Sequence, residues 1–159
     1  MSVLDWSDIL LLTAMLSAAI APFLWAEHSK TSVALATVLS LLLVSFVQFA
    51  ESILGGYAMS YSWVVDFLGI KPSIMADPAE SYRMVTAAWL HADWLHVLFN
   101  ILVVALVGVP LEQRLGSRRW MMVYFLGFMG GNIAWIISHP ESSIPAIGAS
   151  GAAFGILGA

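Results

Sequence analysis

Residues 91–110 read HADWLHVLFNILVVALVGVP, and the interpretation of this stretch decides the fold. From Asp93 to Val109 the side chains are almost all apolar, over a length close to the roughly 20 residues with which a helix crosses a bilayer. Pro110 and the run Leu111-Glu112-Gln113-Arg114-Leu115-Gly116-Ser117-Arg118-Arg119 then mark its exit into a basic connector. Three more stretches carry the same signature: Ile9 to Ala26, Ser32 to Ala50, and Trp120 to Ser138. The whole chain is 60% hydrophobic and only 10% charged, where soluble domains carry about a quarter charged residues. A water-soluble domain of this size has no interior large enough to hide that much apolar surface. The expected fold class is therefore all-α, a polytopic transmembrane helix bundle.

The segment from Glu51 to Trp89 breaks the pattern with Gly55-Gly56, Pro72 and Pro78, and reads as a long loop lying partly in the membrane interface. After His139-Pro140-Glu141 a glycine- and alanine-rich helix starts near Ala149. The residues from there to Ala159 cross only about half of a ~30 Å hydrocarbon core, so on this reading the chain breaks off within its last membrane helix. Asp5 and Asp8 stand where a secretory signal would carry positive charge, and the first apolar stretch is expected to be retained. Lys30 lies in the first connector, and Arg114, Arg118 and Arg119 in the third. Short cytoplasmic loops collect such cations, which puts those connectors inside and the N-terminus, the 51–89 loop and the Pro140 segment outside. The lack of cysteine excludes a disulfide framework, a thiolate zinc site and a catalytic thiol. A net charge of -4 gives no basic footprint for nucleic acid.

Polar side chains inside apolar spans are costly and are functional candidates by default. The first group is His91, His96 and Asn100. His96 and Asn100, four residues apart, lie within about 40° of each other on a helix and aim into one site. His91, if helical, stands about 140° from His96, too far round to share a metal with it; no metal or cofactor is implied. The second group is Gly148-Ala149-Ser150-Gly151-Ala152-Ala153-Phe154-Gly155. Ser150 at a helix N-terminus has an attacking oxygen beside free backbone N–H groups, part of an oxyanion site. Gly151 and Gly155 share a face and admit another helix closely, as a helix bearing a catalytic base would require.

Each group alone also fits plain packing, as hydrogen bonds between helices or as a small-residue seam. Glu112 and Arg114 read as membrane-surface groups bonding loop backbone and each other. Gly127 and Gly131 read as a packing seam, Thr13 and Ser17 as tolerated hydroxyls, and Trp89 and Trp94 as interface anchors. The aligned polar stripe that a channel needs is not evident in the first, second and fourth apolar stretches.

In this order the two groups resemble the rhomboid family of intramembrane serine proteases. His91, His96 and Asn100 match the family's His-x-x-x-x-His-x-x-x-Asn signature, and Gly148-Ala149-Ser150-Gly151 its Gly-x-Ser-Gly. Glu112, Arg114 and Gly116 match its Glu-x-Arg-x-Gly, while Tyr82-Arg83 stands where many members carry Trp-Arg. The resemblance runs from about Ser32 to Ala159. It implies a rhomboid-like membrane domain over 32–159, holding the first four core helices with the fourth incomplete, and residues 1–31 as an extra N-terminal transmembrane helix and connector. It further implies Ser150 as nucleophile, and His96, Asn100 and the Ser150 N–H as oxyanion stabilisers. His91, Gly148, Ala149 and Gly151 then form the site edge, Arg83, Glu112, Arg114 and Gly116 are structural, and a histidine on a sixth core helix, outside this sequence, is the base.

His139 is expected to be a solvated loop residue, and His28 to lie at the far side of the membrane. The chain alone is then expected to be inactive. The complete protein would cut transmembrane segments of other proteins within the lipid bilayer, in the plasma membrane, with Ser150 near the outer face. The alternative that the resemblance leaves open is a pseudoprotease of the same fold that binds membrane clients without cutting them.

Overall fold

The structure, a computed structural model, describes residues 5–75 and 77–159. In chain order its helices are α1 (Trp6–Ser29), α2 (Val33–Gly55), the short α3 (Trp63–Leu68) and α4 (Arg83–Thr86), then α5 (Trp94–Val103), α6 (Val109–Leu115), α7 (Ser117–Ser138) and α8 (Ser150–Leu157). A π-helical turn, Val104–Gly108, joins α5 to α6. Among the described residues four helices are long and apolar enough to cross a membrane: α1, α2, the continuous Trp94–Leu115 and α7. All four expected spans are present.

The third span runs past Pro110 to Leu115, which corrects the reading of that proline as an exit. Pro110 sits in the first turn of α6, where a missing N–H is tolerated. The wider π turn ahead of it relieves the clash its ring would make with the preceding turn. Similarly, α2 continues beyond Ala50 to Gly55, and Gly56 ends it at φ 72°, a left-handed conformation open to glycine.

Helix ends gather by charge. Lys30, Arg114, Arg118 and Arg119 all fall at the end of the bundle where α1 and α6 finish and α2 and α7 begin. This end is tied together by Glu112. Its carboxylate accepts from the Ser32 hydroxyl at 2.5 Å, from the Val33 and Ala34 N–H groups at 3.0 and 2.8 Å, and from Ser117 at 2.6 Å. It thus caps the N-terminus of α2 with a negative charge, where the helix dipole favours one. The expected Glu112–Arg114 pairing does not form: Glu112 is buried at 6% exposure, while Arg114 is exposed and in no ion pair among the described residues. A carboxylate that accepts from two backbone N–H groups and two hydroxyls has no need of a solvated cation.

At the other end, the 51–89 segment expected as a long loop is more ordered than that reading, and its described residues continue as structured chain from the end of α2 to the start of α5. They fold into short helices and turns that bury Val64, Val65, Ile70, Ala87, Ala88 and Leu90. Arg83 holds them together, donating to the carbonyls of Asp66 and Gly69 at 2.7 and 2.9 Å, while Thr86 donates to Leu68 at 2.7 Å and Tyr82 to Phe67 at 2.9 Å. Non-helical backbone near a membrane must find its partners within the protein, and these side chains supply them.

Two further expectations change. α2 does carry a polar stripe: Thr37, Ser40, Ser45, Gln48 and Ser52 are all buried, within an arc of about 140°. They are bonded internally rather than lining a path; Ser40 donates to Ala19 of α1 at 2.8 Å and accepts from the Trp89 indole at 2.7 Å. Trp89 is consequently a packing residue of the interior, not an interface anchor. Thr13 and Ser17 donate to the carbonyls one turn back, as tolerated hydroxyls do.

Replacing Glu112 by alanine strands the α2 N-terminal donors and two hydroxyls, and is expected to cost about 1–3 kcal/mol. Arg114→Ala should stay within about 0.5 kcal/mol. Thermal unfolding of both variants in mild detergent checks the contrast.

Candidate active site

α8 is placed by a backbone-to-backbone contact. A Cβ on Gly127 of α7 would fall 2.8 Å from the Gly155 Cα, and one on Gly131 would fall 2.9 Å from the Gly151 Cα. The Gly127–Gly131 seam expected from the sequence is therefore real, and its partner is the glycine face of α8. That face was read as room for a helix carrying a base; here α7 occupies it. Small residues permit such an approach, and the gain is close van der Waals contact in a solvent that offers no hydrophobic drive.

The chain leading into α8 is pinned on both sides. Ala146 exchanges two 2.9 Å hydrogen bonds with Ile70, and the Gly148 N–H donates to the Ala87 carbonyl at 2.9 Å. Gly148 has φ +114°, which strains any other residue. It also has no space for a side chain, since a Cβ would sit 2.6 Å from both Cε1 and Nε2 of His96. The two polar groups picked from the sequence, some fifty residues apart, thus meet where His96 lies against Gly148. Ala149 is fully buried and Ser150 half-buried at the first turn of α8, which no side chain caps. The first-turn N–H groups there have no intrahelical partner.

His96 is the third residue of α5, whose N-cap Asp93 accepts from the His96 N–H at 2.9 Å. Asn100, one turn further on, is buried at 3% exposure, and its Nδ2 has no partner among the described residues. His91 precedes α5 outside any helix or strand, so the angle it would have on a helix does not apply, and its ring meets that of His96 edge to face with centroids 5.0 Å apart. Among the described residues no group of three metal-ligating side chains forms. His91 is fully buried; its Nδ1 lies 3.3 Å from the Ser45 hydroxyl and 3.2 Å from the Trp89 carbonyl. Burial, reinforced by the neighbouring His96 and opposed by the Trp89 carbonyl and Asp93, pushes its pKa down to about 4.

His139 lies exposed at the end of α7, stacked on Trp135, and among the described residues its ring bonds only Ser138 and the Trp135 carbonyl. None of the described histidines bonds Ser150.

Gln48 and Ser45, both on α2, are members of the site's surroundings that the sequence reading passed over. The signal was available: their hydroxyl and amide fall on the same buried arc as Thr37 and Ser52.

The family model described as the Rhomboid domain matches residues 78–159. The chain belongs to the rhomboid family, and with its four spanning helices it is an integral membrane protein. RHOMBOID-like protein 5 of Arabidopsis thaliana is 32% identical over 92 residues, which cover 58% of this chain and 30% of that protein. Rhomboid-like protease 3 of Toxoplasma gondii is 35% identical over 77 residues, 48% of this chain and 28% of its own length. Rhomboid protease GluP of Bacillus subtilis is 36% identical over 91 residues, 57% of this chain and 17% of its own. The chain thus spans under a third of each of these relatives. No solved structure matches it significantly.

A histidine with a lowered pKa contributes stability that is present above its unfolded value near 6.5 and is lost as pH falls toward about 4. The protein in detergent should lose stability over that window by up to about 3 kcal/mol more than a His91→Gln variant, which keeps the backbone unchanged. Parallel pH–melting curves of the two proteins test this.

Proposed function

We propose that these residues carry the nucleophile and the oxyanion donors of an intramembrane serine endopeptidase. The observation that carries the reading is the seating of His96 against Gly148, which brings a histidine to the chain entering the helix that bears Ser150, with Asn100 one turn further along the same helix. Ser150 attacks the scissile carbonyl. The charge that develops on the carbonyl oxygen is met by the Ser150 N–H, the His96 ring and the Asn100 amide, whose Nδ2 is a buried donor with no partner among the described residues. Donors preorganised in this way are each worth about 10²–10³ in rate. The general base is a histidine supplied from outside these 159 residues, and the chain by itself is inactive because serine without a base is a weak nucleophile. The substrates are transmembrane segments of other membrane proteins. The protein resides in the plasma membrane with Ser150 toward the outer face, the end away from Lys30, Arg114, Arg118 and Arg119.

Ser150→Ala in the full-length protein is expected to abolish cleavage of a model transmembrane substrate in proteoliposomes, and Asn100→Ala to slow it about 10²-fold. Cleavage that survives Ser150→Ala would falsify the reading. A full-length protein that folds, binds such substrates and never cuts them would establish the pseudoprotease alternative. Since these residues contain no cysteine, single cysteines at Glu141 and Arg118 report orientation. A membrane-impermeant thiol reagent on intact cells should label the first and spare the second.

A further inference from the structure

We infer that Gln48 is a positioning residue for the Ser150 site, acting through His91. It lies on α2, outside the residues matched by the family model, and is fully buried. Its Oε1 accepts from the His91 N–H at 3.1 Å, and its Nε2 donates to the His91 carbonyl at 2.9 Å and to the Met59 carbonyl at 3.1 Å. Both amide hydrogens are therefore used, and the side chain treats His91 as a neighbouring strand would, closing both of its peptide groups at once. His91 needs this because it lies outside any helix or strand, with no regular ladder to pair its backbone. The same amide joins the 56–93 segment to α2 at a second point, Met59.

From His91 the contact passes to the reacting end in two steps. The His91 ring rests edge to face on His96 at 5.0 Å, and the His96 ring fills the space a side chain on Gly148 would need, two residues from Ser150. Losing the Gln48 amide frees the His91 backbone to shift, and His96 with it. Small misplacements of a group near a reacting centre are costly to rate, whereas substrate held elsewhere in the bilayer binds as before. The rate consequence rests on the protease reading above; the clamp itself does not.

The test compares full-length wild-type protein, Gln48→Met and Ser40→Ala in proteoliposomes. The methionine keeps the volume and removes the amide. Ser40→Ala breaks the Trp89 and Ala19 bonds on the same helix face and controls for general loss of stability. Gln48→Met should lower kcat about tenfold or more with KM changed less than about twofold, and hydrogen exchange of the peptide containing His91 should quicken about tenfold. Ser40→Ala should leave both near wild type at the same melting temperature decrement. If Gln48→Met fails to fold, Gln48→Asn, one methylene shorter with the amide intact, should show the same split at about threefold. An unchanged kcat, or an equal loss in Ser40→Ala, overturns the positioning role. If the wild-type protein cuts nothing, the protease reading falls instead, and the exchange rate alone decides: unchanged protection at His91 overturns the clamp, lost protection upholds it.

Discussion

Irregular backbone next to a bilayer must find every hydrogen-bond partner inside the protein, because lipid offers none. Residues 56–93 live under that constraint, and much of the structure follows from how they meet it. Arg83 spends its guanidinium on the carbonyls of Asp66 and Gly69 rather than on solvent. Thr86 and Tyr82 reach back to α3 in the same manner, and Ile70 pairs with Ala146. The last of these links, with the Ala87 carbonyl on Gly148, fixes the approach to α8. A segment that has satisfied its own backbone thereby becomes the template on which the Ser150 turn is laid.

The opposite end solves the same problem with one residue. Glu112 adds to the Ser32 cap of α2 by accepting from the Val33 and Ala34 N–H groups and reaches α7 through Ser117, so a single carboxylate joins three helix termini. The interior between the ends is joined by close packing, by the polar stripe of α2 and by the glycine contacts of α7 with α8. Polar glue and small residues are the two means of association left when lipid is as apolar as leucine.

Hydropathy made the four spans legible, since nothing but a membrane accommodates such runs. His96 and Asn100 stood out as polar exceptions in the third span, and Ser150 as a hydroxyl at the start of the glycine-rich α8. The Gly127 and Gly131 seam could be seen, but not that α8 would fill it, because small-residue spacing names a face without naming its partner. Glu112 was misjudged for a similar reason. A charge beside arginines at a span's end looks solvated in the sequence, and only the return of α2 to that spot turns it into a cap. The span was read as starting at Asp93, which does cap α5, but the sequence alone left open whether His91 ahead of it is helical. The stripe on α2 went unread since serines and threonines among leucines are ordinary in membrane helices, and only their common arc distinguishes them.

The π turn at Val104–Gly108 sets the phase of the whole third span. At about 100° per residue, a regular helix would put Glu112 roughly 120° around the axis from Asn100. The extra residue accommodated in the π turn takes back about 100° of that, and the two come within about 20° of one meridian. Both are in fact buried, at 3% and 6% exposure, though they belong to opposite ends of the bundle. The widened turn works as an angular gear between the two ends: one span can bury an amide near one end and a carboxylate at the start of α2 on the same face, because its winding slips by one residue in between.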